Sequence, residues 1–158
     1  MCIRDSLKPI PLEERSDLVG AYHRRLTSED KKTRLQAARA WAIWEASTSK
    51  LIPASKSIRR FGEDSFAEAF ARIECHYFVN KGFLETEDQL LVNCDRISHI
   101  PGVIVQGRYD VVCPMVTSWE LHKAWAIAEY KVIADAGHSV SEPGIVDALV
   151  IATDYFAD

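Results

Sequence analysis

An aspartate and a histidine follow two short apolar segments in the second half of the chain. GVIVQGRYD ends at Asp110, and EYKVIADAGHS brings His138 after a second apolar run. If the two runs are neighbouring parallel strands, both residues lie at the sheet edge where open parallel sheets bind ligands. A carboxylate that orients an imidazole is two thirds of a nucleophile–His–acid triad. The remaining third, a serine in Gly-x-Ser-x-Gly, occurs nowhere in the 158 residues.

The same two residues also have an ordinary structural interpretation. Asp110 could cap a helix that starts near Pro114, and His138 could be a hydrogen-bonded loop histidine. Gly107 and Gly137 are suited to tight turns that would present the two side chains. The residues alone leave the catalytic and the structural interpretation equally open.

Two glutamates lie among aromatic residues in the first half of the chain. Glu45 ends the sequence WAIWE, and Glu74 begins the sequence ECHYF. A carboxylate is costly to bury unless it meets a cation, so two converging carboxylates would suit a substrate ammonium group. The alternative is that both are surface glutamates or partners of Arg39 and Arg72, and spacing alone favours this alternative.

The elements that must position these residues change character along the chain. Apolar spacing predicts helices in the first part, over Pro11–Leu26, Glu29–Ala46, Asp64–Asn80 and Glu87–Cys94, with a polar linker at Ser47–Lys56. A β-α-β-α series follows, with buried strands at Val103–Val105 and Tyr130–Ala134 and helices at Pro114–Trp125 and Glu142–Phe156. Two strands are too few for a stable parallel sheet covered on both faces, which indicates the C-terminal part of a larger α/β protein.

Composition and charge exclude several classes of protein. A formal net charge of −4 argues against nucleic acid or an anionic membrane as the main partner. No apolar run approaches the roughly 18–20 residues that span a bilayer, and no secretion signal is visible. The four cysteines form no metal-ligand spacing and indicate free thiols in a reducing cytoplasm. The sequence predicts neither a metal nor a cofactor.

Five stretches of the chain resemble the proline iminopeptidases, a family of α/β-hydrolase serine peptidases. They are WAIWEAST (41–48), FARIECHYFVNKGF (70–83), IPGVIVQGRYDVVCPM (100–115), WELHKAW (119–125) and ADAGHSVSEPGI (134–145). The resemblance implies that Asp110 and His138 are the triad acid and base. It also implies that Glu45 and Glu74 bind the free α-amino group of a peptide that begins with proline. One departure is Gln106, at a position where the family commonly has histidine.

The resemblance implies a fold class and a division into domains. The fold is expected to be α/β, the C-terminal portion of an α/β-hydrolase with a helical cap, without the N-terminal sheet and the nucleophile elbow. Residues 1–6 (MCIRDS) are interpreted as an artefactual prefix. Residues 7–86 are expected to form a partial cap, and residues 87–158 the C-terminal part of the hydrolase core.

The expected activity is release of N-terminal proline from peptides through an acyl-enzyme, in the cytoplasm and without nucleic-acid or membrane partners. Because the serine is lacking, this chain is expected to be inactive alone. Two alternatives stay open: another cap-bearing hydrolase, such as an esterase or epoxide hydrolase, and a truncated product with no enzymatic role. The pair Glu45 and Glu74 discriminates against an esterase, which has no ammonium group to bind.

Overall fold

The computed structural model describes residues 3–157, with side chains from Asp5 onward. Met1 and Cys2, which begin the predicted prefix, and Asp158 lie outside the described residues. This part of the chain is rich in α-helix and contains one parallel sheet of two strands. The helices are α1 (Ile3–Leu7), α2 (Leu18–Leu26), α3 (Lys31–Thr48), α4 (Ser55–Phe61), α5 (Asp64–Val79), α6 (Gln89–Val92), α7 (Met115–Ala124) and α8 (Pro143–Ala157); the strands are β1 (Val103–Gly107) and β2 (Glu129–Ile133).

The chain divides into two compact units. The first comprises the described residues up to Ser47 together with Pro53–Leu84. The second comprises Thr48–Ile52 and the described residues from Glu85 onward. A short segment from the first half of the chain therefore belongs with the second unit. The assignment of these units as a cap and a hydrolase core stays a prediction. Within residues 3–157, no helix combines the length and the apolar character that a membrane span requires.

Small side chains dominate the core of the first unit. Helices α3 and α5 both bury alanines there, and an alanine side chain lets neighbouring backbones approach closely. Larger side chains of α2, chiefly Tyr22 and Leu26, fill the remaining space. The buried cluster consists of Ile10, Ala21, Tyr22, Leu26, Ala37, Ala38, Ala42, Ala67, Ala71 and Cys75.

The predicted helix over Pro11–Leu26 is wrong in its first half. The structure has a short 3-10 turn at Leu12–Glu14, and α2 begins only at Leu18. Asp17 explains the late start, because its side chain accepts a hydrogen bond from the Gly20 amide and so caps the helix. The predicted polar linker is also shorter than expected, since α3 continues to Thr48 and α4 begins at Ser55.

Glu14 joins the early turn to α2 through two arginines. Its carboxylate accepts hydrogen bonds from Arg25 at 2.8 and 3.0 Å and from Arg24 at 2.6 Å. These bonds, those from Arg25 most strongly, lower the pKa of Glu14 from 4.5 to about 2. A carboxyl group with a lower pKa in the folded state stabilises that state above its unfolded pKa, and the stabilisation is lost as the pH falls through the folded pKa.

We therefore expect the chain to lose stability between pH 4.5 and about 2, with part of this loss due to Glu14. The substitution Glu14→Gln removes the titrating group and should flatten the pH dependence of the unfolding midpoint in this window. The same substitution at exposed Glu13 is the control and should leave the parental pH dependence. Urea unfolding at a series of pH values measures both. A Glu14→Gln curve that matches the parent would refute the assignment.

The second unit contains the parallel sheet, with β1 and β2 in register from Val103 opposite Glu129 to Gly107 opposite Ile133. Both strands are confirmed close to their predicted positions. The prediction that both are buried is wrong, because Val103–Val105 of β1 are only half-buried and Val132 of β2 is 39% exposed. Two strands have too few neighbours among the described residues to be covered on both faces.

Candidate active site

The ends of β1 and β2 bring Asp110 and His138 to the same edge of the sheet. Beyond the strands, the Tyr109 amide donates a hydrogen bond to the Ala136 carbonyl at 2.9 Å. This bond holds the two departing segments side by side. The parallel pairing that the sequence suggested therefore places the acid and the histidine next to each other.

Asp110 and His138 form a hydrogen-bonded pair. Asp110 Oδ2 lies 3.0 Å from His138 Nδ1. The aspartate side chain is 7% exposed, whereas the histidine side chain is 38% exposed. With Nδ1 as the donor to the carboxylate, Nε2 is the nitrogen left to accept a proton. This geometry fits the acid and base of a triad, and the catalytic role of the pair stays a prediction.

The carboxylate of Asp110 is also held by three other donors. Oδ1 accepts from the Val112 and Cys113 amides at 2.9 and 2.8 Å, and Oδ2 accepts from Gln106 Nε2 at 3.3 Å. The alternative that Asp110 caps the following helix is wrong, because Pro114 stands at the N-cap of α7 and no side chain caps it. Asp110 instead fixes the turn that precedes α7.

Gln106 has a role that the sequence did not reveal. Its side-chain amide nitrogen donates to Asp110 and also to the Gly107 and Cys113 carbonyls, at 3.2 Å each. The residue is buried within the carboxyl end of β1. Its amide therefore ties the acid, the strand and the turn together. The family resemblance had marked this position only as a departure from histidine.

Both glycines beside the pair serve close packing, and Gly107 also begins the predicted tight turn, because its carbonyl accepts a hydrogen bond from the Asp110 amide at 3.3 Å. Neither Gly107 nor Gly137 has a positive φ angle; among the described glycines only Gly82 does. A Cβ atom on Gly107 would lie 1.9 Å from the Gly137 carbonyl oxygen. A Cβ atom on Gly137 would lie 2.8 Å from the Leu51 nitrogen. Both positions exclude a side chain because three stretches of backbone meet there.

Glu142 is a second residue that sequence reasoning missed. It is buried, and its Oε1 atom accepts hydrogen bonds from the amides of Leu51 and Gly137, at 2.7 and 3.1 Å. Gly137 directly precedes His138, so this carboxylate acts next to the candidate base. The one signal in the sequence was a glutamate immediately before Pro143, which by itself resembles an ordinary helix start.

Glu74 lies on α5 in the first unit and is half-buried. Its Oε2 atom accepts a hydrogen bond from the indole Nε1 of Trp41 at 2.5 Å. The Trp41 ring also packs near Phe78, with 5.9 Å between ring centroids. Burial, and secondarily the charge of Glu74, raise the pKa of the neighbouring Cys75 thiol to about 11. Cys75 therefore stays protonated and is no thiolate nucleophile at neutral pH.

Glu45 lies on α3, one helical turn beyond Trp41 and on the same face. Its side chain is half-buried and lines a cavity of about 170 Å³ together with Tyr22, Trp41, Trp44 and Phe78. Both glutamates are therefore grouped around Trp41, one along α3 and the other through a hydrogen bond. Whether they bind an ammonium group stays a prediction.

The arginines named as alternative partners of these glutamates are paired with other acids. Arg39 forms an ion pair with Asp64, and Arg72 lies 3.8 Å from Glu68. Among the side chains described from Asp5 onward, no group of three or more potential ligands is arranged to hold a metal ion.

Comparison with known proteins places the chain among close relatives. It is 61% identical over 150 residues to a "Probable proline iminopeptidase" of Leptolyngbya boryana. The aligned region covers 95% of this chain and 47% of that protein. The chain is 58% identical to a "Proline iminopeptidase" of Xylella fastidiosa (strain Temecula1 / ATCC 700964), over 93% of this chain and 47% of the relative. A third relative, a "Proline iminopeptidase" of Xanthomonas citri, is 57% identical, over 96% of this chain and 48% of the relative. The chain spans about half the length of the curated relatives it matches. No family model matches it.

Proposed function

We propose, from the premise that this chain belongs to the proline iminopeptidase family, that it supplies the acid and the base of a serine aminopeptidase. Asp110 is the acid and His138 the base. The observation that carries the proposal is the hydrogen bond between Oδ2 and Nδ1, 3.0 Å long, at the carboxyl ends of adjacent parallel strands. Family membership supports the further assignment of the second unit to the C-terminal part of an α/β-hydrolase core, and of the first unit to its cap.

The serine nucleophile and the oxyanion hole belong to the part of the family sequence that this chain does not span. In the complete protein, by which we mean the longer protein that includes that part, His138 Nε2 takes the serine proton. The serine oxygen attacks the carbonyl carbon of the N-terminal proline, and His138 returns the proton to the departing amine. His138 then takes a proton from a water molecule, which attacks the acyl-enzyme and releases proline. Asp110 keeps the proton of the neutral imidazole on Nδ1 and stabilises the imidazolium.

The substrate is a peptide with a free N-terminal proline. Glu45 and Glu74 bind its ammonium group, and the aromatic side chains around Trp41 surround the carboxylates. An ion pair in such poorly solvated surroundings is stronger than in bulk water. The half-buried state of both glutamates and the names of the relatives support this assignment. We place the protein in the cytoplasm, which the free thiols of Cys75 and Cys94 favour.

An esterase or epoxide hydrolase is the second candidate activity, since either would use the same acid and base. The two carboxylates beside Trp41 favour the aminopeptidase, because neutral esters and epoxides offer them no cation. A truncated product without enzymatic activity is the third candidate. The property that distinguishes this candidate is whether the isolated 158-residue chain folds on its own.

The test compares the complete protein with the isolated chain on a proline arylamide. We expect turnover by the complete protein and no detectable turnover by the chain, because nucleophile and oxyanion hole supply most of the rate enhancement. Hydrolysis by the purified chain would contradict the proposal. So would a complete protein that hydrolyses esters and leaves the arylamide intact.

A further inference from the structure

Glu142 joins two segments that lie far apart in the sequence. The donors to its Oε1 atom are the Leu51 amide, 91 positions away, and the Gly137 amide. The glutamate is 9% exposed, and the ion pairs of the described side chains do not include it. A buried carboxylate without a cation needs such donors, and this one obtains them from backbone rather than from another side chain.

The backbone on both sides of His138 is fixed by this arrangement. Before it, the Gly137 amide is bound to Glu142. After it, the Ser139 amide donates to the Ser49 carbonyl at 2.7 Å, and the Ser139 carbonyl accepts from the Glu142 amide at 3.0 Å. The residues flanking the histidine are therefore anchored to the Ser49–Leu51 segment and to the start of α8. The position of the His138 imidazole depends on these backbone hydrogen bonds, because the ring itself is partly exposed.

One oxygen of Glu142 receives both amide bonds. A glutamine carbonyl oxygen in the same place could accept the same two bonds without a charge. An aspartate would keep the charge, but its side chain is shorter by one methylene group and could not reach both amides. The substitutions Glu142→Asp and Glu142→Gln therefore separate the length of the side chain from its charge.

We propose that Glu142 is a positioning residue, which holds the Gly137–His138 backbone against Ser49–Leu51 so that His138 keeps its hydrogen bond with Asp110. Its catalytic consequence rests on the proposed function, whereas its effect on the histidine ring does not. The residue touches neither the imidazole nor the reacting atoms, and acts through the backbone alone.

The experiment uses the complete protein and the variants Glu142→Asp and Glu142→Gln. Exposed Asp147, on the helix α8 that begins directly after Glu142, provides the control for loss of charge as Asp147→Asn. The first readout is kcat and KM on a proline arylamide. The second is the NMR signal of the His138 Nδ1 proton, which reports the hydrogen bond to Asp110 without requiring turnover.

We expect Glu142→Asp to lower kcat about 10- to 100-fold, since small displacements of a catalytic group have effects of this size. KM should stay within about twofold, because catalytic positioning contributes little to ground-state binding. The Nδ1 proton signal should broaden or disappear. Glu142→Gln and Asp147→Asn should keep the parental kcat and the parental signal.

Three results would overturn the positioning role. One is a Glu142→Asp protein with the parental kcat and Nδ1 signal. Another is a Glu142→Gln protein as defective as Glu142→Asp, which would assign the effect to charge. The third is a Glu142→Asp protein that fails to fold, which would assign Glu142 to general stability. A parent without turnover would instead refute the proposed function, and the Nδ1 signal would still decide the role of Glu142.

Discussion

Substituting asparagine for Asp110 is expected to lower kcat of the complete protein on a proline arylamide about 10⁴-fold. The backbone amides of Val112 and Cys113 both donate to Oδ1, so the carbonyl oxygen of an asparagine must take that place. Its NH₂ group then faces His138 Nδ1, where Oδ2 now accepts. A donor at this place forces the imidazole proton onto Nε2, so the nitrogen that should take the serine proton is blocked.

The control is the same substitution at Asp135, which is exposed and lies three residues before His138. Asp135→Asn should retain full activity, so that a general sensitivity of this loop to lost charge is excluded. Initial rates across a substrate series separate kcat from KM, and the loss should fall on kcat. An Asp110→Asn protein with more than about a tenth of the parental kcat would remove Asp110 from the triad, since the tautomer argument allows no such activity.

Local patterns were sufficient to predict the elements that carry this pair. The β-branched run at Val103–Val105 and the later run around Tyr130 each occupy one strand, and β1 ends at a glycine, Gly107. The helix Asp64–Asn80 was predicted to within one residue, because its apolar residues keep helical spacing throughout. Parallel strand order was enough to predict that Asp110 and His138 lie at the same edge of the sheet.

Contacts between distant segments could not be predicted in the same way. Nothing near Glu142 in the sequence indicates that its partner is the Leu51 amide, because that contact depends on how a loop from the first half of the chain folds back. The roles of Gly107 and Gly137 have the same origin, since close approach of backbones leaves no local pattern. The late start of α2 depends on the side-chain cap at Asp17. The apolar spacing of the sequence continues across this residue and therefore predicted a longer helix.

Glu45→Gln and Glu74→Gln should each lower kcat/KM for a proline arylamide by roughly 30- to 1,000-fold. Leaving one member of a desolvated charge pair without its partner costs about 2–4 kcal/mol. A glutamine at position 74 can still accept the Trp41 indole hydrogen bond through its carbonyl oxygen, so the packing around Trp41 survives and only the charge is lost. Turnover of a small neutral ester, which has no ammonium group, should stay within about threefold of the parent.

The ratio of the two activities is what separates amine recognition from a structural role. If Glu74 served only to satisfy the Trp41 indole, the glutamine variant would retain both activities, because the hydrogen bond is preserved. If the substitution disturbed the first unit, both activities would fall together. Exposed Glu63, which directly precedes α5, provides the matched control as Glu63→Gln and should change neither. Only a selective loss on the free-amine substrate, at both Glu45 and Glu74, is consistent with two carboxylates that bind one ammonium group.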